Sequence, residues 1–262
     1  MPRRIVAFFL PLNLPLNKTF IVKVCIFFKL KHLYMTGKYF KFLIITSALI
    51  LSKFSHAQET DIGNWFIYFG NQQMDKKWSW WNEVQYRNYN FGGDLQQLLL
   101  RTGISYNLTE NNNNVLLGYG FIKSKNYVPN SNEKTSTNEH RMYQQFITRQ
   151  NFGSLFIQHR YRIEERFLPE DFQIRFRYFL GFNIPLNNKT MTNETFYVSA
   201  YNEIFLNAQN SIFDRNRLYG ALGYVINKNF RTEAGFMAQT LENTNRNQFQ
   251  IVLFNNLPFY KK

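Results

Sequence analysis

Cysteine is almost missing from this chain: its one occurrence, Cys25, lies near the start. If that segment is removed on export, the rest holds no thiol, which excludes disulfides, thiolate metal sites and a lipid-modified N-terminal cysteine. Acidic residues are absent from positions 1–57, which carry nine of the 31 Lys and Arg residues. The remainder therefore has 22 basic and 17 acidic residues, a net of +5 rather than the +14 of the whole. Most of the positive surplus sits in the leader, so no nucleic-acid partner is expected. Histidine is also scarce. Only His140 and His159 lie beyond residue 57, with no third ligand nearby in sequence, and Asp94 and Asp171 stand alone. No metal and no other cofactor is expected. Helical periodicity, linkers and long repeats are absent as well.

The leader has its own logic. Met35–Ala57 reads as a secretory signal: Lys38 and Lys41 form the positive end, Phe42–Leu51 the apolar run, and Ser55-His56-Ala57 the small-residue cleavage site before Gln58. That run is too short for a spanning helix. Residues 1–34 are apolar but interrupted by Pro11, Pro15, Lys18, Lys23 and Lys29. Met35 is the expected start, with an unusually long signal as the other reading. Residues 58–262 are expected to form one domain.

What is present there is a two-residue beat. Leu98, Leu100, Thr102, Ile104, Tyr106 and Leu108 alternate with Leu99, Arg101, Gly103, Ser105 and Asn107. Ile174, Phe176, Tyr178, Leu180 and Phe182 alternate with Gln173, Arg175, Arg177 and Asn183. Alternation sends the two sets to opposite faces of a strand, and alternating segments of ~10 residues separated by turns mark a membrane-spanning β-barrel. Strands are predicted at 62–71, 78–90, 97–108, 114–124, 139–150, 155–167, 172–184, 195–207, 217–226, 230–240 and 247–256. Pro129, Pro169, Pro185 and Pro258 avoid their centres, as ladder hydrogen bonding requires.

The expected fold is thus an all-β, antiparallel transmembrane barrel of ten to twelve strands. Eleven segments are awkward, because bacterial single-chain barrels usually have an even number with both termini on the periplasmic side; twelve is the favoured count. The polar connection 125–138 is expected to be extracellular. Trp65, Trp78, Trp80, Trp81, Tyr89 and Tyr106 near strand ends suit membrane interfaces. A soluble barrel or sandwich, with its apolar face inward, is the rival.

With hydrocarbon outside, the lumen receives Glu83, Gln85, Arg87, Arg101, Arg141, Tyr143, Gln145, Arg160, Arg162, Glu164, Arg175, Arg177, Tyr201, Glu203, Arg217 and Glu233. Buried charges must be paired or hydrated, so pairing helps to choose registers. Closing one hairpin with Gln150 opposite Leu155 sets Arg141 across from Glu164 and Glu139 across from Arg166; a two-residue shift makes like charges collide. Closing the next with Phe167 opposite Phe172 sets Glu164 across from Arg175 and Arg162 across from Arg177. Glu203 opposite Arg217 is a third expected pair. The network either plugs and stiffens the barrel, or leaves Arg160, Arg162 and Arg177 to line an anion passage or hold a phosphate-bearing ligand.

The same parity puts His159 on the lipid face with Leu155, Ile157, Tyr161 and Ile163, opposite Phe146 and flanked by Gln144 and Thr148. An interfacial histidine is the ordinary reading, a catalytic base acting on lipids the sharper one. Thr148 is a poor nucleophile, and no serine has a plausible base and orienting group. His140 lies at a predicted loop boundary. Gly118 and Gly120, facing inward, are expected to make room for bulky neighbours or curvature. Phe249, Ile251, Leu253 and Phe259-Tyr260 loosely suit an assembly signal, although Lys261-Lys262 depart from an aromatic terminus.

The segments DIGNWFIYFGN (61–71), NEVQYRNYNFGGDLQQLLLRTGISYNL (82–108), LLGYGF (116–121), EHRMYQQF (139–146), QHRYRIEERF (158–167), AYNEIFLN (200–207) and FDRNRLYGALGY (213–224) resemble domain-of-unknown-function family 2490. The resemblance implies an outer-membrane barrel of Gram-negative, Bacteroidetes-type bacteria, and brings no catalytic residues. The function expected is a narrow channel, a binding barrel or a structural barrel. Its partners would be outer-membrane lipid and, by class, the barrel-assembly machinery. A lipid-modifying enzyme and a soluble periplasmic binding barrel are the alternatives.

Overall fold

The computed structural model describes residues 62–109, 112–209 and 211–259; the expected leader and cleavage site lie outside them. Eleven strands follow one another: β1 Gly63–Gln73, β2 Trp78–Asn88, β3 Leu95–Asn107, β4 Asn113–Tyr127, β5 Lys134–Phe152, β6 Leu155–Phe167, β7 Phe172–Pro185, β8 Thr195–Asn207, β9 Phe213–Val225, β10 Phe230–Leu241 and β11 Asn245–Asn255. Each pairs antiparallel with its neighbour in sequence, and β1 closes the barrel against β11. All eleven alternating segments are strands. The favoured count of twelve is corrected: β1 and β11 run parallel, from Gly63 opposite Gln248 to Gly70 opposite Asn255, so an odd number closes without an edge.

Parallel closure makes the chain enter the barrel at one end and leave at the other. The end that carries connections 89–94, 128–133, 168–171, 208–212 and 242–244 is called the mouth here, and the opposite end the base. The long polar connection expected at 125–138 is also shorter than predicted. β4 and β5 extend through it as a ladder to Tyr127 opposite Lys134, a projection that lies at the mouth. His140 therefore sits inside β5 rather than at a loop boundary, its Nδ1 2.6 Å from the Tyr119 hydroxyl.

Alternation sorts the faces. In β3 the buried Leu99, Arg101, Gly103 and Ser105 alternate with the outward Leu100, Thr102 and Ile104. In β7, Arg175 and Arg177 are buried while Phe176 between them is exposed. The outer wall carries Val84, Leu117, Met142, Phe146, Ile163, Val198, Leu222 and Ile251, and the interior holds the arginines and glutamates. This is the reverse of a water-soluble barrel. Aromatic pairs ring the outside at both ends: Trp78 with Tyr106 at 4.8 Å and Phe196 with Tyr224 at 4.7 Å towards the base, and Phe167 with Phe172 at 5.2 Å and Phe91 with Phe249 at 5.5 Å towards the mouth.

Two of the tryptophans expected at interfaces instead turn inward. Trp65 joins Ile67, Tyr219, Ala221, Met237 and Val252 in a small apolar core beside the closing seam, and Trp81 packs on Phe69 with ring centroids 5.5 Å apart. Both parities of β1 are apolar there (Trp65, Ile67 and Phe69 against Phe66 and Tyr68), so alternation cannot tell in from out.

Inward glycines make room for tyrosines. A Cβ on Gly118 would overlap the Tyr143 ring, and one on Gly223 would overlap that of Tyr197. Both rings are fully buried, so neither can retreat to solvent. Gly223→Leu is expected to lower stability by about 1–3 kcal/mol through overpacking, read as a lower urea midpoint, whereas Gly220→Leu, with open space at its Cβ, should change it little.

Candidate functional site

The interior is built around Glu164, which has none of its surface exposed. Its carboxylate takes Arg175 Nη2 at 2.6 Å, Arg177 Nη1 at 2.5 Å, Arg162 Nη1 at 3.3 Å and Arg141 Nη1 at 3.7 Å. A second centre, Glu203, binds Arg177 Nη2 at 2.6 Å and Arg160 Nη2 at 2.7 Å. Glu83 holds Arg101 at 2.6 Å. Arg162 also donates to Gln145 Oε1 and lies 4.5 Å over the Tyr143 ring. Glu233 stands apart towards the base, where it accepts from the hydroxyls of Tyr197 at 2.9 Å and Tyr219 at 3.4 Å. Of the charged side chains predicted for the lumen, Arg141, Arg160, Arg162, Glu164, Arg175, Arg177 and Glu203 join one ion-pair network, Glu83 and Arg101 form a separate pair, and Glu233, Arg87 and Arg217 join neither.

The registers are partly as expected. Phe167 faces Phe172, so Glu164 faces Arg175 and Arg162 faces Arg177, and Glu203 faces Arg217. The β5–β6 register differs from the expected one: Phe152 faces Leu155, which puts Tyr143 opposite Glu164 and Arg141 opposite Arg166. The cause is the turn. Gly153-Ser154 forms a two-residue loop with Gly153 at φ 61°, the tight hairpin geometry that glycine permits at its first central position. That local preference outweighs the like-charge pair it creates, because Glu139 bridges both guanidiniums, at 2.5 Å to Arg141 and 2.6 Å to Arg166. The same shift places Thr148, not Phe146, opposite His159; the His159 Nδ1 lies 2.9 Å from the Tyr178 hydroxyl on the outer wall.

Register did not predict every partner. Glu203 faces Arg217 across the ladder, yet its carboxylate turns to Arg160 and Arg177, and Arg217 donates Nε to Gln239 Oε1 at 2.9 Å. Asp214, missed in the sequence because its strand was started at residue 217, binds Arg175 at 2.9 Å and Arg215 at 3.0 Å.

Below the mouth the bore is packed. Tyr143, Ile122, Met237 and Gln250 fill it alongside the Glu164 hub, with Phe205 on the mouth side and Tyr197 towards the base, all essentially unexposed. Towards the mouth it opens into a cavity of about 380 Å³. Every charged residue lining that cavity except Glu139 is an arginine; Gln96, Gln97, Ser124, Asn126, Thr137, Gln239 and Thr244 supply amides and hydroxyls. Among the described residues no group of three His, Cys, Asp or Glu side chains could hold a metal ion.

A family model described as "Protein of unknown function (DUF2490)" matches residues 62–250, which span β1 through most of β11. No curated protein and no solved structure matches the chain.

Proposed function

Starting from the fact that the chain belongs to the DUF2490 family of proteins of unknown function, we propose that it is an outer-membrane β-barrel that does not conduct, a rigid, internally cross-linked wall with a binding mouth. The observation that carries this is the filled bore: Glu164, with four guanidiniums around it, sits fully buried inside the barrel where a channel would need water. Membrane residence is supported by the apolar outer wall, the aromatic pairs at both ends, and strands of at least 11 residues, enough to cross a hydrocarbon layer at the usual tilt. Export would use residues 35–57 as the signal, insertion would use the general barrel-assembly machinery, and membrane lipid would be the outer partner.

The test is twofold. Cell fractionation with heat-modifiable gel migration should place a folded barrel in the outer membrane. Planar-bilayer recordings on the refolded protein should then show no steps above baseline. Stable single-channel openings of the wild type would overturn the closed reading, and recovery in the soluble periplasm would overturn the location.

A further inference from the structure

We propose that the mouth cavity is a binding site for a phosphate dianion carried on a small polar scaffold such as a sugar, with Arg87 and Arg217 as its principal ligands. Both guanidiniums lie against one indole: Arg87 Cζ is 3.7 Å and Arg217 Cζ 5.0 Å from the Trp65 ring centroid. Each residue is more than nine-tenths buried. Among the described residues neither has a carboxylate in ion-pair range: Arg87 donates to Gln85 and Gln97, and Arg217 to Gln239. Around the same cavity the guanidiniums of Arg141, Arg166, Arg175 and Arg177, by contrast, each reach at least one carboxylate.

A buried cation without a counter-charge is costly, and two beside one another more so. Stacking on Trp65 offsets part of that cost by cation–π attraction, but supplies no charge. A dianion would neutralise the pair in one step. A tetrahedral phosphate also offers enough oxygens to take bidentate donation from one guanidinium while accepting from the other. The donor surplus extends to the neighbours. Trp65 Nε1 and Arg101 Nε are buried without an acceptor, and both residues line the cavity.

The scaffold follows from what remains. A space of about 380 Å³ lies within the range of small-molecule sites and holds more than one anion. Its uncharged polar lining of amides and hydroxyls suits sugar hydroxyls better than an apolar body. Of the Arg160, Arg162 and Arg177 cluster suggested by the sequence only Arg177 lines this cavity, and Glu164 and Glu203 already hold all three guanidiniums.

Isothermal calorimetry on the refolded barrel in micelles tests the proposal, and it does not depend on membrane location or on conductance. Glucose 1-phosphate should bind, inorganic phosphate more weakly, and glucose not at all. Arg87→Gln and Arg217→Gln should each weaken glucose 1-phosphate about tenfold or more, as loss of a charged hydrogen bond to an anion implies. Arg231→Gln, a guanidinium over Phe254 at the base, should leave binding unchanged. No heat with either phosphate, or equal affinities for wild type and Arg217→Gln, would overturn the site. Should a variant not fold, the wild type still decides: phosphate should raise its unfolding midpoint above that in chloride at equal ionic strength, and an unchanged midpoint refutes the site. A competition arm identifies the source. Nanodiscs containing a diphosphorylated glycolipid that displace glucose 1-phosphate assign the site to a lipid headgroup, and nanodiscs that do not displace it assign it to a soluble sugar phosphate; either result supports the shared chemistry.

Discussion

Glu164→Gln is expected to destabilise the barrel by about 3–5 kcal/mol, the range for removing one partner of a buried charge pair. Glutamine keeps the shape and an acceptor but removes the charge that Arg141, Arg162, Arg175 and Arg177 share. Four guanidiniums would then crowd a space without the counter-ion they share. The adjacent Glu165 points outward, where its carboxylate accepts from Gln144. Glu165→Gln should therefore shift stability by well under half as much. The check is a urea titration followed by heat-modifiable migration for wild type and both variants. Equal effects of the two substitutions would mean that Glu164 does not organise the interior.

Leu100→Arg is the second large effect. Leu100 is exposed on the outer wall, level with Val84 on β2 and Phe121 on β4, near the middle of its strand. In a bilayer an arginine on that face costs roughly 2–4 kcal/mol near the midplane and much less towards the interfaces. In water it would cost almost nothing, because the side chain stands free and its backbone pairing is untouched. Refolding into vesicles, with the unfolding midpoint compared between wild type and Leu100→Arg, separates the two solvents. A variant as stable as wild type in vesicles would show that this wall does not face hydrocarbon. The next residue, Arg101, is buried against Glu83 at 2.6 Å; neighbours one position apart thus have opposite solvation requirements.

The sequence made most of the wall legible because period-two alternation is a local signal. All eleven segments were visible, and β6 and β8 were bounded to the residue, since Gly, Asn and Pro clusters flank them. Where both parities are greasy, as in β1, the signal vanishes, and the inward turn of Trp65, expected at a membrane interface, was not legible. The hub at Glu164 was legible in part: parity placed it inside and the Phe167–Phe172 closure gave it Arg175. The β5–β6 register was not legible from charge pairing alone, because a two-residue Gly-Ser turn, which charge does not report, sets it. Long arginines reach diagonal acceptors, so ladder opposition constrains ion pairs less than turn geometry constrains the ladder.

The amino-acid order alone determined the strands, the charged inner face and the greasy outer one, because each follows from spacing along a single chain. Tertiary structure decided three things that need distant segments: the parallel closure of β1 on β11, the filled middle of the bore, and the pairing of Arg87 with Arg217 across Trp65 at the mouth. Those depend on which strand ends meet when the sheet curls shut. No local pattern encodes that meeting, since the residues concerned are brought together only by barrel circumference and shear.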